Sequence, residues 1–121
     1  EIQLERGKET IETVGVVNTD SSVDKFGIKI TPVKKQNPDG TAGTLEEMDK
    51  EVIFFYNELL EKELSPTVGD IIPITIKAKS SASGNYLYKV EAYKDSTCPG
   101  GPTGSTTCPA YDSRSFFVKI S

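Results

Sequence analysis

Asp70-Ile71-Ile72-Pro73-Ile74-Thr75-Ile76-Lys77-Ala78-Lys79 is the stretch whose reading decides the fold. Ile72, Ile74, Ile76 and Ala78 take every second position, with Pro73, Thr75, Lys77 and Lys79 between them, which is the period of a pleated strand with one apolar face. After the small residues Ser80 to Asn85 the period resumes in Tyr86-Leu87-Tyr88-Lys89-Val90-Glu91-Ala92-Tyr93. Tyr86, Tyr88, Val90 and Ala92 share one side, Lys89 and Glu91 the other. Both runs are rich in β-branched and aromatic residues, and they read as neighbouring strands of one sheet packed on a single face.

Working outward, the same period recurs. Ile2 and Leu4 alternate with polar residues until Arg6-Gly7. From Thr10 to Asn18, Ile11, Thr13, Gly15 and Val17 point one way and Glu12, Val14 and Val16 the other; Gly15 predicts a bulge or a close backbone approach. Lys25 to Lys35 forms a third strand with Phe26, Ile28 and Ile30 on one face, and Pro32 places its end at a sheet edge or a bulge. Asn37-Pro38-Asp39-Gly40 is a turn, with Pro38 presetting φ and Gly40 accepting a left-handed conformation. Phe116, Val118 and Ile120 close the chain as a strand expected to pair within the main sheet.

The segment 45–63 carries two readings. Thr44 and Glu47 have the spacing of a capping box, followed by Leu45, Met48, Val52, Phe55 and Leu59 at helical intervals. Against this, Val52-Ile53-Phe54-Phe55-Tyr56 is a continuous apolar run, which fits a strand covered on both faces and no amphipathic helix.

The 121 residues fit one domain, 1–121, and an all-β sandwich with much solvated surface. The net charge of −4 argues against binding nucleic acid or an anionic membrane non-specifically. Lys34-Lys35 and Lys77/Lys79 read as solvated faces. No apolar run approaches the roughly 18 residues of a spanning helix, so no membrane insertion by these residues is expected and the chain is expected to be soluble. The start at Glu1, with no Met and no leader pattern, leads us to expect a trimmed mature protein or an excised domain. With no histidine in the chain, Ser-His-Asp and Cys-His catalysis, the common zinc and copper ligand sets and imidazole pH switching are excluded. Neither cofactor nor metal is expected.

Cys98 and Cys108, the only cysteines, flank a loop of Gly, Pro, Ser and Thr. The expected role is a disulfide that pins a loop lacking hydrophobic anchors; a redox or metal pair fits poorly, because the spacing is not Cys-x-x-Cys and no histidine completes a zinc set, and reduced inert thiols are the remaining reading. A disulfide places the chain in an extracellular, cell-surface or periplasmic setting. Asn18, Asp20 and Asp24 offer oxygen ligands to calcium but lack EF-hand spacing, and read as a turn. Glu46, Glu47, Asp49 and Glu51 crowd one segment with no aromatic platform and read as a solvated face rather than paired catalytic carboxylates. Tyr93 and Phe117 are the candidates for an exposed aromatic strip that stacks on sugars.

One resemblance bears on these readings. Leu64-Ser65-Pro66 through Gly69-Asp70, then Ile72 to Ala78 and Ser83 to Ala92, resembles the later half of CARDB-type immunoglobulin-like domains of bacterial and archaeal surface proteins. Val16-Val17-Asn18-Thr19 followed by Phe26-Gly27-Ile28-Lys29-Ile30 is similar to the family's earlier strand pair. The acidic segment Glu46 to Glu51 and the cysteine-bearing loop depart from the family pattern. The resemblance implies an immunoglobulin-like β-sandwich of about seven strands, tips Val52 to Leu64 toward strand, and brings no catalytic residues. The function it implies is a non-enzymatic module of an exported or cell-surface protein, a spacer or protein-adhesion domain with an unknown protein or glycan partner. The alternative is a carbohydrate-binding module attached to a secreted enzyme; a hydrolase using carboxylates alone is a distant third.

Overall fold

Alternating sequence becomes strand, and the strands stack as two sheets. The structure is a computed structural model and describes residues 1–60, 62–98 and 108–121. Among these residues the strands are β1 (Ile2–Leu4), β2 (Glu9–Val17), β3 (Phe26–Gln36), β4 (Val52–Phe55), β5 (Gly69–Ala78), β6 (Gly84–Lys94) and β7 (Asp112–Ile120), with one helix, α1 (Leu45–Glu51), ahead of β4. One sheet has the order β1-β7-β6-β3 and the other β2-β5-β4. The core lies between them: Ile72, Ile74, Ile76 and Ala78 of β5 are all buried, as are Tyr86 and Tyr88 of β6. The fold is an all-β, immunoglobulin-like sandwich.

The expected pairing of β5 with β6 is corrected by this topology. β5 bonds to β2 and β4, whereas β6 bonds to β3 and β7, so the two runs belong to opposite sheets. Both apolar faces point into the same core, which is why their alternation looks alike. Gly15 makes neither bulge nor close approach: the ladder runs unbroken through Gly15↔Ile71, and a Cβ there would meet nothing within 4 Å. Pro32 does mark a bulge, on an edge strand, with the register against β6 shifting between Pro32 and Lys34.

Pro73 sits in the middle strand of its sheet, where a missing N–H normally breaks a ladder. Odd residues of β5 turn their backbone groups toward β4, as the Lys79 N–H to Glu51 O bond shows, but β4 ends at Phe55, paired with Thr75. At Pro73, therefore, β5 is locally an edge.

Segment 45–63 follows both readings in turn. The capping box forms, with Thr44 accepting from Glu47 N–H and Glu47 reaching back to Thr44 N–H, and the helix buries Met48. It stops at Glu51, where the β-branched and aromatic residues Val52-Ile53-Phe54-Phe55 enter the sheet instead. The next residues cover the outer edge of β3: Ile28 N–H donates to Glu58 O at 2.8 Å and Leu60 N–H to Phe26 O at 2.9 Å.

Candidate functional site: a cleft between two open strand edges

The bulge in β3 has a consequence for charge. One extra residue, Val33, turns the strand over, so that Lys35 faces inward opposite Tyr86 and is only 5% exposed. Its ammonium lies 2.6 Å from Glu51 Oε1 and 3.2 Å from Glu47 Oε2, and the Tyr86 hydroxyl donates to the same Glu51 oxygen at 2.9 Å. Burial opposes the charge on Lys35, yet the bonds to Glu51 and Glu47 outweigh it and hold the ammonium's pKa above its ordinary value. Both sequence expectations change here: Lys35 is not on a solvated face, and Glu47 and Glu51 are the helix's anchor to β3 rather than solvated charges. Glu46 stays on the surface, paired with Lys50.

Asn18 and Asp20 lie in the expected turn, whereas Asp24 follows it in an antiparallel bridge to Leu64. Asn18 is fully buried and donates to Ser22 O and Leu64 O at 2.9 and 2.8 Å, while its Oδ1 accepts from Asp20 N–H. Asp20 takes the Lys94 ammonium at 2.6 Å, and Asp24 takes the amide and hydroxyl of Ser96. Among the described residues no cluster of three His, Cys, Asp or Glu side chains has the form of a metal site. The proposed aromatic strip is corrected as well: Tyr93 is 8% exposed, lining a small concavity with Leu59 and Leu60, and of the two rings Phe117 alone is open, at 44%. Cys98 and Cys108 are joined by a disulfide.

A cleft lies elsewhere among the described residues, where the sheets gape at the side of β2 and β7. It has a volume of about 730 Å³; its β2 wall includes Glu12, Val14 and Gly15 and its β7 wall includes Asp112, Arg114 and Phe116. Phe54, Ile74, Ile76 and Val90 form its floor. Tyr111 and Thr19 lie at one end, bonded hydroxyl to hydroxyl and by Thr19 N–H to the Tyr111 oxygen at 2.7 Å. The floor is stiffened by edge-on packing of Phe54 against Tyr88 and Phe116, at centroid separations of 4.6 and 6.1 Å.

Two strand edges border this opening. β1 pairs with β7 only from Val118 to Ile120, and β2 is an outer strand of its sheet. The Asn18 N–H to Val68 O and Ala78 N–H to Lys8 O bonds show that even residues of β2 bond to β5. The backbone groups of Glu9, Ile11, Thr13, Gly15 and Val17 therefore point out of the sheet's edge. Sequence periodicity identified both faces of β2 and could not identify this edge, because pairing partners leave no local signal. Chemically, the cleft offers an apolar floor, a row of backbone donors and acceptors, and three charges, Glu12, Asp112 and Arg114.

No helix among the described residues is long and apolar enough to cross a membrane. No family model and no curated protein matches the chain. Among solved structures, the chain is similar to the ASH/PapD-like domain (PapD-like domain 7) of human CEP192, at a TM-score of 0.54 and 11% identity over 98% of this chain and 79% of that one. It is also similar to SSP-19, an MSP-domain protein like family member of Caenorhabditis elegans, at a TM-score of 0.48 and 11% identity over 99% and 92%. A family 123 glycoside hydrolase from Clostridium perfringens matches at a TM-score of 0.52 and 11% identity, over 98% of this chain but only 22% of the enzyme's. At such identities the likeness is one of fold. The shared fold is a β-sandwich of the kind seen in the PapD-like domain, with nothing specific to CARDB-type domains.

Proposed function

We propose that this domain is a non-catalytic attachment module of an exported or cell-surface protein, and that it holds a protein partner in the cleft between β2 and β7. The observation that carries this reading is the cleft itself: an apolar floor of Phe54, Ile74, Ile76 and Val90, open to solvent between two strand edges. Apolar floors with a few placed polar groups are the usual form of a binding site. Export is supported by the Cys98–Cys108 disulfide, a bond that persists in oxidising compartments. The CARDB-type resemblance agrees with a surface role. A spacer function is compatible with the same fold, but a spacer has no use for an open cleft. The carbohydrate reading is weakened, since burial of Tyr93 leaves Phe117 without a second ring to make a platform.

The test is selection of ligands from a displayed library of random 12-residue peptides against the oxidised domain, alongside a glycan array. Peptides enriched on the native domain and lost on Val14→Arg, or on Arg114→Glu at an exposed position that spares the fold, support the reading. Glycan binding that disappears with Phe117→Ala, or no cleft-dependent peptide at all, overturns it.

A further inference from the structure

We infer that the occupant of this cleft is an extended segment of a partner protein that adds to β2 as a fourth strand of the β2-β5-β4 sheet, with an aromatic residue over Gly15 and a lysine or arginine against Glu12. This rests on the attachment reading and gives it a geometry.

The backbone carries the first part of the argument. β2 is nine residues long, contains no proline and no lysine, and turns five sets of N–H and C=O groups outward. Edges of that length are ordinarily bulged, charged with lysine or covered. β3, an outer strand of the other sheet, is bonded at its Phe26–Ile28 end by the 58–60 segment, whereas β2 has no such cover among the described residues. Among the described residues the sheets also differ in width, four strands facing three, and β2 is an outer strand of the narrower one. A strand bonded there continues the sheet and sends every second side chain down onto the cleft floor.

The side chains specify the partner. Gly15 leaves open space on the outer face, beside Val17 and Ile71, which are 51% and 60% exposed; a large ring on the neighbouring strand fills such a gap. Glu12 points to the inner face, half-buried, with no ion pair among the described residues. β2 carries two carboxylates, Glu9 and Glu12, and no basic residue. A second copy pairing β2 to β2 doubles that negative charge along one seam, which opposes self-association and favours a basic partner. Because Glu12 and Gly15 are three positions apart, the partner's basic and aromatic residues are also three apart.

The experiment takes the best cleft-dependent peptide from the selection as its probe and adds it to the isotope-labelled, oxidised domain. Amide hydrogen exchange at Ile11, Thr13, Gly15 and Val17 is expected to slow at least tenfold, with little change at Thr10, Val14 and Val16, which already bond to β5. Thr13→Pro removes an N–H that the native ladder does not use, so it is expected to leave folding intact and weaken the peptide at least tenfold. Glu12→Gln is expected to weaken it several-fold and flatten its salt dependence. A peptide that is bound in the cleft but is helical, or leaves those four amides unprotected, overturns the strand geometry while the attachment reading stands. Protection of the same amides by self-association alone, with dimers in sedimentation, replaces the partner segment by a second copy and overturns the inference. If no peptide depends on the cleft, the attachment reading fails first and this inference with it.

Discussion

The ammonium of Lys35, on the bulged end of β3, lies 2.6 Å from the carboxylate of Glu51, the last residue of α1, inside a region where Lys35 is almost wholly buried. A helix of seven residues is too short to persist by propensity, so this pair, the capping box and Met48 are what keep it in place.

Replacing Lys35 by Met leaves Glu51 and Glu47 without their cation, and only the Tyr86 hydroxyl still donates to Glu51. The expected loss is about 3 kcal/mol, the usual result of breaking a buried pair from one side. Lys35→Met combined with Glu51→Met is expected to recover part of it, since neither charge is then stranded. Urea denaturation of the native protein, both single variants and the double variant gives the coupling; a Lys35→Met protein as stable as the native one removes the network from the account.

Stability is expected to be flat from about pH 5 to pH 9.5, because no histidine titrates there. Below that range, Glu47 matters: bonds from Lys35 and then Thr44 hold its folded pKa under its ordinary 4.5, so its contribution is present above 4.5 and is lost as pH falls through the folded value. Asp39, lowered by the Thr41 hydroxyl and amide, acts in the same direction. On the alkaline side, Lys94 is raised above 10.5 by its bond to Asp20, and burial raises Tyr56 and Tyr86 above 10. A raised group contributes fully below its unfolded pKa and less as pH climbs through the folded one, so stability falls above about pH 10. Thermal midpoints across the pH range check this, and a step between pH 6 and 8 contradicts it.

Tyr88 is buried against Phe54 and Phe116, and its hydroxyl has no hydrogen-bond partner among the described residues. Burial accordingly pushes that phenol far above the ordinary tyrosine range. Tyr88→Phe removes an unpaired polar atom and keeps the ring, and is expected to leave stability unchanged or raise it by up to about 1 kcal/mol. A clear loss in calorimetry shows that the hydroxyl has a partner.

Gly84 opens β6 with φ of +111°, and a Cβ there collides with the Gln36 carbonyl oxygen. Gly84→Ala is expected to cost at least about 2 kcal/mol, combining a disfavoured backbone conformation with displacement of the β3 end. Gly15→Ala, in open space on β2, is the control and is expected to be near neutral in unfolding measurements.

Reduction of Cys98–Cys108 frees a loop whose closure constrains the unfolded chain by about 3 kcal/mol on the entropy model. The melting temperature under a strong reductant is expected to fall by about 10 °C, and an unchanged midpoint shows the bridge to be incidental.

Periodicity in the sequence determined that Ile72, Ile74, Ile76, Tyr86 and Tyr88 face a core, because successive side chains of a pleated strand alternate by covalent geometry alone. The spacing of Thr44 and Glu47 likewise specified the start of α1, an interaction closed within one turn. Only the tertiary structure decided that β5 and β6 lie in opposite sheets, since two strands with inward apolar faces look the same whether they bond to each other or face each other across the core. It also decided the fate of Lys35, where one extra residue in β3 exchanges inside for outside, and it alone left the edge of β2 open. Faces are set by neighbours along the chain, whereas edges and partners are set by residues far apart in it.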